Sequence, residues 1–477
     1  MIKLKTVVLL IFVSCSTRFQ FYKALHNFVS QENYTPAIQL VESKKEEEYG
    51  EKNAVLYYMD LGTLWQLAGN YEESNKLLHR AEQIVDDLYT KSIAAETLSL
   101  LTSDYAKPYE GEDFEKVMIN LLSALNYAVS GDVDEALVEA RKVDLKLEQY
   151  NSRYEKKNVY KEDAFIRYLM GLLYENERSM EGINDAFISY TKALKSYKDY
   201  EANYGTKTPS DLLLDALRTA EIMGFYDEVE RLYKEYPELK ESKQKVNPDE
   251  GEVVFLHLLG VAPRKVDNFI QIAFGQGLVL ARAEQPNTDE QADYNKAMNI
   301  AGAVAADTNI VVAFPSFQKQ NFSVWGSRIV VDSKSADSYL VEDVEAIAIK
   351  DLEDRKGRIW AKTIARAVIK YTLAYVAGGA IGREVEKGVG GKLGELLGWL
   401  VRKGAATAAA ATEEADKRSW QTLPAKFKMA RLSLPPANYQ IKVQLLSNSG
   451  GYLGEKIIKG VEVKKGKKTF VFLRTAW

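Results

Sequence analysis

The chain has 477 residues, of which 46% are hydrophobic and 27% charged, enough apolar material for about two to four ordinary domains and too much for a disordered polymer. Its 63 Lys and Arg against 67 Asp and Glu leave a net charge of −4, so no global basic field favours nucleic acid. One cysteine cannot form an internal disulfide or a thiolate cage, and three scattered histidines, His26, His79 and His257, are poor material for a catalytic zinc.

The N-terminus carries Lys3 and Lys5, then the apolar run Thr6–Val13, then Ser14 and the single cysteine, Cys15. The run is far shorter than the roughly 20 residues of a bilayer-crossing helix, so residues 1–14 are expected to be a cleaved export signal. A small residue before the one cysteine resembles the bacterial lipobox, which implies a lipidated Cys15. Phe12 departs from that pattern, which prefers Leu, Val or Ile there. Ser16 after the cysteine, by resemblance to Gram-negative lipoproteins, implies the periplasmic side of the outer membrane. Several acyl chains, at about 0.8 kcal/mol per buried methylene, would hold the mature chain there.

Residues 15–245 read as helical repeats. The stretch from Tyr58 through Leu61, Gly62, Trp65, Gly69, Asn70 and Tyr71, continuing to Ser74, Leu78 and Ala81, resembles a tetratricopeptide repeat, two antiparallel helices of about 34 residues. Gly62 lets the helices approach, Trp65 and Tyr58 fill the space between them, and Gly69-Asn70 makes the turn. A second copy uses Ala124, Tyr127, Gly131, Asp132, Ala136, Ala140 and Val143. A third uses Met170, Gly171, Tyr174, Ala186, Tyr190 and Ala193, with about three extra residues in its turn. Weaker copies surround Tyr34, Ala37 and Val41, and Gly224, Tyr226, Val229 and Tyr233. Each pair leaves one apolar face uncovered, so the five must stack into a solenoid. In such scaffolds the first helix of each pair lines a concave groove. By that resemblance Met59, Thr63, Gln66, Leu125, Tyr168, Leu172 and Glu175 are candidate contacts for a peptide or a partner helix.

After the polar stretch Glu241–Glu250 the pattern changes. Val253–Leu259 is an apolar run between Gly251 and Gly260 and reads as a buried strand, with His257 a core histidine. Asn309–Phe314 and Trp325–Asp332 are further strands, so residues 250–352 read as a mixed α/β domain. Val341–Leu352 and Arg355–Ala377 have helical spacing. On the second helix Arg358, Lys362, Arg366 and Lys370 recur every four residues and so share one face. That stripe is either a solvated face relieved by nearby acids or a contact for an anionic partner.

Residues 355–412 then add an unusual spacing. Gly378, Gly382, Gly390, Gly394 and Gly398 fall on one four-residue register, broken by Glu386. Glycine costs helix stability, so close approach of another helix is its natural compensation. The longest uncharged run, Tyr371–Gly382, is too short to span a membrane. A tightly packed helical hairpin, within one chain or between copies, an interfacial or pore-like insertion, and a flexible linker all remain open. Gly391-Lys392 lacks the remaining P-loop residues. Finally, residues 418–477 alternate as four strands, Phe427–Leu434, Tyr439–Leu446, Lys456–Lys464 and Thr469–Arg474, expected to form a small antiparallel β-domain.

With the lipobox and the repeats, the sequence Asp416-Lys-Arg-Ser-Trp420-Gln-Thr-Leu-Pro424 and Leu434-Pro-Pro-Ala-Asn-Tyr439 resembles a family of uncharacterised bacterial tetratricopeptide lipoproteins. That resemblance implies a cell-envelope role beside the lipoproteins that activate penicillin-binding proteins, and supplies no catalytic residues. The expectation is an α+β multidomain chain without a cofactor or metal, a non-enzymatic, lipid-anchored scaffold for an envelope protein. The rival is a membrane-active or pore-associated assembly using the Gly-spaced helices. A hydrolase acting through Glu342 and Asp343 is the third reading, and no catalytic constellation accompanies those acids.

Overall fold

A computed structural model describes residues 20–94, 107–152, 159–241, 247–283, 298–299, 301, 309–378 and 415–476. Its first part is a run of paired helices: α1 (20–30) with α2 (Tyr34–Ser43), α3 (Ala54–Leu67) with α4 (Tyr71–Ala94), α5 (Asp113–Ser130) with α6 (Val133–Asn151), α7 (Ala164–Tyr174) with α8 (Met180–Tyr204), and α9 (Ser210–Met223) with α10 (Tyr226–Glu235). These are the five hairpins read from the sequence. Local chemistry sets their ends. Glu112 and Glu115 form a reciprocal capping box at the start of α5, Asp163 accepts from the Ile166 N–H at 2.8 Å, and Ser179 accepts from the Gly182 N–H at 2.9 Å. Gly131 closes α5 at φ 86°, a conformation that other residues reach only with strain. Gly171 marks a close approach of α7 to α8: a Cβ there would lie 2.2 Å from Tyr190 Cε1.

Ten strands follow among the described residues: β1 (Gly251–Leu259), β2 (Arg264–Ala273), β3 (Asn309–Gln318), β4 (Gly326–Val331), β5 (Lys334–Asp337), β6 (Tyr339–Asp343), β7 (Lys426–Leu434), β8 (Ala437–Leu446), β9 (Tyr452–Val463) and β10 (Lys468–Thr475). Two further helices are α11 (Phe274–Ala283) and α12 (Val344–Gly378). One sheet has the order β10-β1-β7-β6, with β1 parallel to β10 and antiparallel to β7. A second has the order β5-β4-β8-β9, and β2 pairs with β3 as a separate ribbon.

The first sheet is covered on both faces. Val253, Phe255 and Leu432 pack toward Ile329, Ile441, Val443 and Val461 of the second sheet. Val254, Leu256, Leu258, Phe427, Met429 and Phe470 belong instead to the same hydrophobic core as the solenoid helices. Alternate side chains of β1 therefore enter two different cores, which is why its sequence is a continuous apolar run rather than an alternation. A smaller cluster joins the β2–β3 ribbon to α11 and α12, with Phe314 stacked on Trp360 at 4.6 Å between ring centroids.

Two expectations change. The strands of residues 418–477 do not build a sheet of their own: β7 and β10 flank β1, β8 pairs with β4 and β9 with β8. Their inner faces are completed only by strands from residues 251–343, so the expected α/β and β domains are one interleaved unit. The expected helix at Val341–Leu352 begins at Val344, because Val341–Asp343 belong to β6 on the edge of the first sheet, and α12 then runs without a break to Gly378. Residues 1–14 and Cys15, and Gly382, Gly390, Gly394 and Gly398, lie outside the described residues. Gly378 is the last residue of α12. No helix among the described residues is long and apolar enough to cross a membrane.

Candidate functional site

The inner face of the solenoid was expected to be an open groove. It is filled by the chain's own C-terminal half. Met59, Thr63, Gln66, Leu125, Tyr168, Leu172 and Glu175 are all buried. Thr63 Oγ1 donates to the Met59 carbonyl at 2.9 Å and Gln66 Nε2 to Asn126 Oδ1 at 2.7 Å, so these donors are engaged inside the solenoid, while Gln66 Oε1 is buried without a partner among the described residues. Tyr168 and Glu175 meet side chains of the first sheet. A separate peptide cannot occupy this face unless the molecule opens.

At the N-terminal end of the solenoid the filling segment is the extended stretch 415–425. Arg418 Nη1 donates to Asn53 Oδ1 at 3.2 Å and to the Lys107 carbonyl at 2.8 Å. The Trp420 N–H donates to Glu115 Oε1 at 2.7 Å, and its indole is among the largest fully buried side chains. The Thr422 N–H and hydroxyl both donate to Asp60 Oδ1, at 3.2 and 2.8 Å, and Tyr49 donates to Asp60 Oδ2 at 2.9 Å. Burial dominates Asp60, and these hydrogen bonds only partly offset it: its carboxyl is pushed up to about 7. Burial likewise raises Glu115, and the neighbouring Glu112 adds to the effect.

At the other end α7, α8 and α9 meet β1, β7 and β10 through an ionic cluster. Arg431 Nη1 donates to the Tyr168 hydroxyl at 2.7 Å, its Nε and Nη2 hold Glu252 at 2.8 and 2.9 Å, and it also pairs with Asp215. Lys468 reaches Glu252 at 2.6 Å and Glu175 at 3.3 Å, while Arg218 reaches Glu175 at 2.6 Å and Asp215 at 2.8 Å. Three cations thus face three carboxylates. Burial opposes their ionisation, but Arg431 with Lys468 holds Glu252 down at about 2, and Arg431 with Arg218 holds Asp215 below the usual range. Around this cluster Tyr339 donates to Asp211 at 2.8 Å and Tyr197 to the Val341 carbonyl at 2.9 Å.

The remaining candidates are dispersed. Arg358 is exposed, Lys362 half-buried and Arg366 only 2% exposed, so the basic stripe is not one solvated face. Lys370 follows on α12. His257 is a core residue, with Nδ1 at 2.9 Å from Ser327 Oγ and Nε2 at 3.0 Å from Thr475 Oγ1. Glu342 is fully buried beneath the Tyr200 hydroxyl, and Asp343 pairs with Lys426 while accepting from the Ala346 N–H at 3.0 Å.

A side-chain grouping that the sequence did not suggest is His79, Glu82 and Glu139, whose ligand-capable atoms lie within 4.8 Å of one another. Lys142 bridges Glu139 at 2.8 Å and Glu82 at 3.2 Å, and Lys146 reaches Glu82 at 2.7 Å. The carboxylates are already neutralised by two ammonium groups, which suits an ion-pair network better than a divalent cation. Helical spacing marks Glu139, Lys142 and Lys146 as one face, but only the packing of α4 against α5 and α6 adds the rest.

The paired helices form a helical repeat region joined to a mixed α/β body. No family model matches it, and no curated protein matches it. Among solved structures it is similar to a chain described as Podosopora anserina kinesin light chain nearly identical TPR-like repeats, at 13% identity and a TM-score of 0.29, covering 48% of this chain and 98% of that one.

Proposed function

We propose that the chain is a lipid-anchored scaffold that works by contact on the periplasmic side of the outer membrane, within the tetratricopeptide lipoprotein family that its sequence resembles. The observation that carries this reading is the joining of solenoid and first sheet through one hydrophobic core and the Arg431 cluster. A body clasped in this way presents fixed surfaces and needs no bound peptide to hold its shape. With the inner face filled, the second helices of the hairpins supply the contact surface: Leu145 of α6 is 65% exposed, Met180 of α8 58% and Tyr226 of α10 76%. A protein partner of the envelope fits this mixed apolar surface. The expected outcome for Cys15→Ala is release from the membrane fraction. Material still sedimenting with the outer membrane would defeat the anchor.

A second reading, a membrane-active or oligomeric assembly, is favoured by one observation. Phe269 and Val311 on the β2–β3 ribbon and Val279 and Leu280 on α11 are exposed apolar side chains on the unit that also holds α12. Liposome leakage that depends on Phe269 would select it over the scaffold.

A further inference from the structure

The buried charges around Arg431 compensate one another three by three, whereas Arg474 has no ion-pair partner among the described residues. It sits on β10 opposite Leu258 and is only 4% exposed. Its neighbour Thr475 turns to His257, so by strand alternation Arg474 leaves the opposite face of the sheet, where its Nη2 donates to the Thr422 carbonyl at 3.1 Å. Its Nε and Nη1 have no hydrogen-bond partner, and no carboxylate among the described residues offsets its charge. A guanidinium carries five N–H donors in a planar fork, and here one engages.

Burial lowers Arg474 to about 9, with the Tyr34 hydroxyl opposing the shift, so the group stays charged at neutral pH. Leaving such a charge buried and unpaired is expensive, and unsatisfied donors at this depth call for a partner. The charges beside its neighbours are Arg264 near His26 and Glu32 near Tyr34, the latter acid paired with Lys456. His26 lies with its Nε2 at 3.0 Å from the Gln421 carbonyl; burial lowers its pKa, the Gln421 carbonyl opposes the shift, and the charges of Arg474 and Arg264 add to it. His26, Tyr34 and Arg264 are each partly exposed.

We propose that Arg474 anchors an oxyanion-binding site between the first sheet and the α1–α2 hairpin, taking a carboxylate or phosphate group through its free Nε and Nη1 donors, with the Tyr34 hydroxyl beside it. The fork geometry suits both groups. This site is independent of the scaffold reading and of the lipid anchor.

The test titrates the full chain with inorganic phosphate and with acetate, against chloride at matched ionic strength, following melting temperature and calorimetric affinity. Phosphate or acetate is expected to raise the melting temperature where chloride does not, and the tighter of the two assigns the group. In Arg474→Met the affinity should fall at least tenfold while the ligand-free protein melts higher, because a buried unpaired charge has been removed. Arg474→Lys keeps the charge but loses the fork, and should bind more weakly with the fold intact. Should neither variant fold, arginine-selective 15N labelling of the unmodified chain reads the site directly, as one protected Nε–H resonance that moves with phosphate or acetate. Stabilisation no greater than chloride gives, an unchanged response in Arg474→Met, or no such resonance would overturn the proposal.

Discussion

The two ends of the solenoid's inner face bury the same kind of side chain and treat it in opposite ways. At the N-terminal end Asp60 and Glu115 accept hydrogen bonds from the main chain and the Thr422 hydroxyl of 415–425, and burial raises both carboxyls, at Glu115 against the opposing charge of Lys265. At the far end Asp215, Glu252 and Glu175 meet Arg431, Lys468 and Arg218, and ionisation is held in place. The difference lies in what the C-terminal half places against these carboxylates: the neutral donors of Trp420 and Thr422 in one place, basic side chains of β7 and β10 in the other. A carboxylate on a repeat helix is therefore not a site until its neighbour is known.

The largest effect should come from breaking the ionic end. Arg431→Met leaves Asp215 and Glu252 buried without their main cation and should cost about 3–5 kcal/mol in denaturant unfolding. Replacing Asp215 and Glu252 by Leu as well should recover most of it. A loss no greater than that of a surface substitution would mean that the cluster does not join the two halves.

Packing supplies the next contrast. A Cβ at Gly171 meets the Tyr190 ring, which is held by its 2.5 Å hydrogen bond to Glu175, whereas a Cβ at Gly62 lies 2.9 Å from Leu78 Cγ, at a side chain that can turn away. Gly171→Ala should therefore destabilise by about 1–3 kcal/mol, and Gly62→Ala by less, measured on the same denaturation curve.

The pH profile sharpens the comparison further. Asp60 binds its proton more tightly folded than unfolded, so its contribution is complete at acid pH and is lost as pH rises toward about 7. Between pH 5 and 7 this amounts to a slope on the order of 1.4 kcal/mol per pH unit. Asp60→Asn should flatten that limb. Glu252 has the opposite sign: its stabilisation is present above the unfolded carboxylate range and is lost as pH falls toward about 2, so Glu252→Gln should flatten the acid limb. Equal slopes in both variants and the parent would undo the contrast between the ends. The smallest effect belongs to a pair outside both ends. Arg328 and Asp337, 2.6 Å apart across an exposed strand pair, should leave the melting temperature unchanged when Arg328 is replaced by Ala.

Much of the fold was legible where one local rule sufficed. Gly62, Gly69 and Trp65 mark a helical hairpin because turn chemistry and helix spacing act within about 34 residues. Val253–Leu259 reads as a doubly covered strand from its continuous apolar run. The β2 strand was missed because Arg264–Ala273 alternates weakly and, as one strand of a two-stranded ribbon, buries only Lys265. The candidate groove was legible as a helix face but not as a filled one, since Tyr168 has the same helical spacing whether Arg431 or solvent lies opposite. Arg474 ends an alternating strand and carries no local mark of being buried.

From its sequence alone the chain is committed to paired helices in the first half, apolar strands in the second and a polar break between them, because periodicity, turns and caps are local. Which residues those helices bury was decided only in three dimensions. Partners some 200 residues apart, such as Asp215 and Arg431, obey no spacing rule and meet only because β1, β7 and β10 complete one sheet against the solenoid. The energy of a buried charge depends on what stands beside it, and that neighbour is a property of the tertiary fold.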